Sequence, residues 1–143
     1  MQRRNVLSVI FALPLLAACG GGPATTLHTK HAGSGSGPIH FSVTNASDTA
    51  VNSLYMASSD AVGQAKQKKV EPGSPEDQAL WGADLLNGAL APGQNVEVAA
   101  QPGRWDFRAV DRDGREQFIT RVKLAGGGTY ALELGEGGWR APR

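Results

Sequence analysis

Residues 105–124 read Trp-Asp-Phe-Arg-Ala-Val-Asp-Arg-Asp-Gly-Arg-Glu-Gln-Phe-Ile-Thr-Arg-Val-Lys-Leu. Trp105, Phe107 and Ala109 alternate with Asp106 and Arg108, the period of a strand with one buried face. Beyond Asp113-Gly114, Phe118, Thr120, Val122 and Leu124 alternate with Ile119, Arg121 and Lys123. Glycine tolerates the positive φ of a tight hairpin turn, so Asp-Gly between two alternating runs predicts an antiparallel hairpin. Asp111, Asp113 and Gly114 share features with a calcium loop, but the other ligand positions are missing and the turn accounts for all three. No metal is expected there.

Working outward, the same period recurs. Ile39, Phe41 and Val43 oppose His40, Ser42 and Thr44; Tyr130, Leu132 and Leu134 oppose Thr129, Ala131 and Glu133; Val51 to Met56 and Val96 to Val98 supply two more runs. Asn45 to Asp48, Pro92-Gly93, Pro102-Gly103 and Gly126 to Gly128 punctuate them, as turn residues do. The pattern predicts a mainly all-β domain over 38–143: a small antiparallel β-sandwich of about six strands. Residues 58–90 interrupt it as a long loop or short helical insertion. Within them Ser74, Pro75, Glu76 and Asp77 read as a helix cap, first turn and N-terminal acids, predicting a short helix from Pro75 to about Leu86. Lys66, Lys68 and Lys69 read as a solvated loop.

At the other end, Met1 to Arg4 is a short basic stretch, Val6 to Leu16 is apolar, and Leu16-Ala17-Ala18-Cys19 closes the run with small residues. This is the layout of a secretory signal over 1–18, and its last four residues resemble the lipobox of bacterial lipoproteins. The resemblance implies cleavage between Ala18 and Cys19, a diacylglyceryl group on the Cys19 thiol and an acylated amino terminus. Each buried CH₂ contributes ~0.8 kcal/mol, so several acyl chains hold a protein firmly on a membrane. Gly20, where inner-membrane lipoproteins of Gram-negative bacteria carry Asp, implies the outer membrane, facing the periplasm. Arg3-Arg4 loosely resembles a twin-arginine export motif, although a basic n-region accounts for it more simply. Residues 19–37, lipidated Cys included, are rich in Gly and Ser and read as a flexible tether.

Cys19 is the only cysteine, so the domain has no disulfide. Without Arg3 and Arg4 the chain carries 12 Lys+Arg against 13 Asp+Glu, which argues against nucleic acid as a partner.

Leu54 to Ser58, Trp81-Gly82-Ala83-Asp84-Leu85-Leu86, Leu90 to Gly93 and Trp105 to Gly114 resemble the motifs of a family of small exported bacterial proteins of uncharacterised function. The likeness covers roughly 39–124, with 60–79 as an insertion and no Pro after Ala57. Gly103 and Ala125 stand where many relatives carry Cys. The resemblance implies the fold and no activity.

No nucleophile motif occurs and His40 is the only His of the 38–143 domain, so a non-enzymatic protein without cofactor is expected. His28 and His31, with His40, lack the fixed geometry a metal needs. Trp105 alternates into the core, Trp81 reads either as a plug at a sheet edge or as an exposed anchor, and Trp139 falls in a Gly-rich tail expected to fray. The leading expectation is an interaction domain that meets an envelope protein through Trp81 to Leu86, with Trp81, Asp84, Asp106 and Arg108 as candidate contacts. The alternative is a periplasmic small-ligand or glycan-binding domain, favoured if residues 58–90 enclose a concave apolar pocket. Cells expressing the protein should incorporate labelled palmitate into it, and Cys19→Ser should abolish the label. Label persisting in that variant would refute the lipobox.

Overall fold

A computed structural model describes residues 22–143. The expected signal over 1–18, with Ala18, and Cys19 lie outside the described residues. Among the described residues seven strands form: β1 Thr26–His31, β2 His40–Asn45, β3 Val51–Ser58, β4 Asn95–Glu97, β5 Gly103–Asp111, β6 Glu116–Leu124 and β7 Thr129–Leu134. They make two sheets, ordered β1-β7-β2-β4 and β3-β5-β6. Between β3 and β4 the chain forms two short helices, α1 Ser59–Gln67 and α2 Pro75–Trp81. The result is a small β-sandwich with a helical insertion.

Alternation builds the core as expected. Phe41, Val43, Leu132 and Leu134 of the first sheet meet Leu54, Phe107 and Ala109 of the second, all at most 1% exposed. Phe41 stacks on Phe107 with ring centroids 5.1 Å apart and planes inclined by 16°. Asp111 closes the β5–β6 turn: its Oδ1 accepts from the backbone N–H of Asp113 at 3.0 Å and of Arg115 at 2.8 Å. Gly114 sits there at φ 80°, the left-handed conformation that favours glycine.

Four features differ from expectation. First, β2 and β7 run parallel, His40 facing Thr129 through Asn45 facing Leu134, whereas an antiparallel sandwich was expected. β7 enters the slot between β1 and β2, which run in opposite directions, so it must be parallel to one of them. Second, part of the expected tether is strand β1, paired antiparallel with β7 from Thr26 opposite Glu133 to Thr29 opposite Tyr130. Only Leu27 of this strand packs against the core; the strand is held by its ladder to β7, whose backbone groups need partners. Composition alone cannot reveal an edge strand of this kind. Just before it, Gly137 N–H donates to the Pro23 carbonyl at 3.2 Å and Gly135 N–H to the Thr25 hydroxyl at 2.9 Å.

Third, the C-terminal tail is ordered rather than frayed. A 3₁₀ turn at Glu136–Gly138 leads to Trp139, which packs against the core, and Arg140 and Glu116 exchange two backbone hydrogen bonds of 2.8 Å. Fourth, α1 was not anticipated. Ser58 caps it, its Oγ accepting from Ala61 N–H at 3.1 Å, and Asp60 lies in its first turn, where a negative charge complements the helix dipole. The expected helix at Pro75 forms with Ser74 as its cap, Oγ to Asp77 N–H at 3.2 Å. It ends at Trp81, not Leu86, because Gly82 at φ 68° turns the chain away.

Truncating Phe107 to Ala should destabilise the domain by ~3–5 kcal/mol, read as a lowered denaturation midpoint with unchanged slope. A loss below ~1 kcal/mol would show that the two sheets do not rely on this contact.

Candidate functional site

Sheet β3-β5-β6 has a second face, turned away from the sandwich core. Tyr55 pairs with Arg108 and Ala57 with Asp106 across β3 and β5, and Arg108 pairs in turn with Phe118 of β6. The two helices roof this face: Ala57, Val62 and Trp81 form a second buried cluster, with Tyr55 and Leu80 partly buried against it. Trp81 is therefore 4% exposed, a plug beneath the roof, and the expected exposed contact at this residue is not there.

A bulge in β6 decides what else this face presents. Trp105 faces Val122 but Phe107 faces Ile119, so β6 carries one extra residue, and Arg121 takes φ 56°. The bulged backbone is tied down by Asp106, whose buried Oδ1 accepts from Arg121 N–H at 2.9 Å and from Ser59 Oγ at 2.6 Å. One carboxylate thus fastens the start of α1 to the bulge. The extra residue shifts the phase of the strand. Val122 and Leu124 stay in the core, Ile119 packs against it, and Phe118 turns outward, against the expected alternation that grouped it with Val122 and Leu124. At 37% it is the exposed large hydrophobic among the described residues.

Between the helices, the outer face of β6 and the C-terminal segment lies a groove of about 460 Å³. Val62, Ala65, Leu80, Trp81 and Phe118 form its apolar wall, the Trp81 and Phe118 rings meeting at 5.9 Å and 56°. Arg143 lies along one side. Its Nη2 is 3.2 Å from Asp77 Oδ2 and its Nε 3.1 Å from Glu116 Oε2, and its guanidinium sits 5.0 Å above the Phe118 ring. Glu116 also holds Arg108, with Nη2 at 2.5 Å, and Arg108 lies 5.4 Å from the Tyr55 ring. The Trp81 Nε1 is buried and has no hydrogen-bond acceptor among the described residues.

Of the four candidate contacts, Trp81 and Asp106 line this groove and Arg108 lines a neighbouring pocket of about 370 Å³ that shares Trp81. Asp84 lies apart from both. Its Oδ1 accepts from Leu54 N–H at 2.9 Å and Leu86 N–H at 3.0 Å, clamping the returning chain along the edge of β3. Phe118, Lys66 and Arg140 line the groove and were not anticipated as site residues. Nothing in the spacing of β6 signals the bulge, whereas Ser58-Ser59-Asp60, a cap followed by an acid, could have signalled the helix that carries Lys66. His28 is 3.4 Å from Glu133, and no cluster of three metal-ligating side chains occurs among the described residues.

No family model, curated protein or solved structure matches the chain. The resemblance to small exported proteins rests on the residues quoted for it.

Because a left-handed φ strains any residue with a Cβ and most of all a β-branched one, Arg121→Gly should leave stability unchanged or raise it by up to ~1 kcal/mol, while Arg121→Val should lower it by ~1–2 kcal/mol. Equal denaturation midpoints for the two variants would remove the bulge as the determinant of the Phe118 orientation.

Proposed function

We propose that the protein is a lipid-anchored envelope domain, held through Cys19 on the periplasmic side of the outer membrane, that binds a small and largely apolar molecule in the groove beneath its helical insertion. The observation that carries this reading is the groove itself. Its volume of about 460 Å³ falls within the ~300–1,000 Å³ of small-molecule sites, and such sites combine an apolar wall with a few polar groups. Residues 58–90, the break in the strand pattern, supply much of that wall. Phe118 adds an exposed aromatic surface whose removal from water would contribute ~25 cal/mol per Å².

Trp81, 4% exposed, presents only a narrow surface in the groove and no broad contact for a protein partner, and Asp84 is engaged in holding the chain. No helix among the described residues is long and apolar enough to cross a membrane; the proposed attachment rests on the lipobox resemblance at Cys19.

The processed chain, isolated from cells and held in lipid nanodiscs, tests the reading by NMR titration with the neutral probe 4-phenylbutan-1-ol. Amide shifts should concentrate at Val62, Ala65, Leu80 and Phe118, and Phe118→Glu should weaken binding by roughly tenfold, about 1.4 kcal/mol. Shifts scattered over the surface, or an unaltered titration in that variant, would refute it.

A further inference from the structure

We infer that the molecule held in the groove is an amphipathic anion, its apolar body lying against Phe118 and Trp81 and its single negative head taken by Lys66 and Arg140. This rests on the ligand-binding reading above and specifies the chemistry of the ligand.

The charges lining the groove fall into two groups. Asp77, Asp106 and Arg143 are already engaged: Asp77 Oδ2 accepts from Gly73 N–H at 2.9 Å and meets Arg143, Asp106 holds Ser59 and Arg121, and Arg143 bridges Asp77 and Glu116. Lys66 and Arg140 also line the groove, but neither forms an ion pair among the described residues. They approach from different elements, Lys66 from the last turn of α1 and Arg140 from the C-terminal segment, whose backbone is pinned to Glu116 by two hydrogen bonds of 2.8 Å. Two cations with no ion pair among the described residues thus border an apolar wall whose acids are already engaged, Asp77 by Arg143 and Asp106 by two hydrogen bonds.

Coulomb attraction at such a border exceeds that in bulk water, since the low-dielectric wall reduces screening. The head remains near solvent, which spares it the desolvation cost of a buried ion. A neutral ligand would gain at most an ordinary hydrogen bond from these two side chains, weaker than the charge-assisted bonds of an anion, and a cationic one would be repelled by them. Both residues are exposed, so their substitution leaves the fold intact.

Octanoate and octanamide share a chain and differ in charge at the head. Titrated into the processed chain in nanodiscs and followed at the groove amides, octanoate should bind about tenfold more tightly than octanamide. The double variant Lys66→Gln, Arg140→Gln should bring the two within twofold, by weakening octanoate alone. Equal affinities in the unsubstituted protein, or a preference for octanoate that survives the double variant, would overturn the assignment of the head while leaving the groove as a binding site. Failure of both compounds to shift the groove amides would overturn the ligand-binding reading with it.

Discussion

Phe41 and Phe107 are the hinge between the two sheets. One comes from the start of β2, the other from the middle of β5, and their stacked rings lie where the sheets face each other. With no cysteine in the described residues, no covalent bridge shares the load, and burial of apolar surface must hold the layers together. Aromatic stacking adds ~0.5–1.5 kcal/mol to that burial. The helical roof sits over the outer face of β5 behind this contact: the same strand that turns Phe107 inward turns Asp106 toward the groove and Arg108 toward the neighbouring pocket.

β5 was the most legible element because its alternation is unbroken and both faces follow from it. The Asp-Gly turn was equally clear, as was the start of α2, where Ser74 and Pro75 combine a side-chain cap with a fixed φ. What the sequence hid depends on tertiary pairing. β1 is nearly all polar and exists because β7 has a free edge, information that lies a hundred residues away. The parallel β2–β7 pair follows from where β7 inserts, which no local window contains.

The groove was legible only in part. Residues 58–90 stood out as the place where the strand period fails, and a pocket there was the condition attached to ligand binding. Trp81 was open to two descriptions, and it takes the buried one. Phe118 was obscured by its own regularity: an uninterrupted alternation through β6 puts it with Val122, and only the extra residue near Arg121, stabilised by the Asp106 carboxylate from the neighbouring strand, reverses that face. The motif residues Trp81, Asp84 and Asp106 are thereby accounted for by architecture, as a plug, a clamp and a tie.

The hydrogen bond from Gly137 to Pro23 has a consequence for reach. A tether ending at Pro38 would let the domain range as far as ~65 Å from a lipid on Cys19, at about 3.4 Å per extended residue. With the chain captured at Pro23, the proposed anchor would leave at most about 14 Å of slack. Under the proposed lipid anchor the domain would ride on the bilayer surface instead of sampling the depth of the periplasm, and Thr25, which lines the groove, would keep that groove beside the anchor. A ligand of a domain so anchored would have to arrive at the membrane or already reside there.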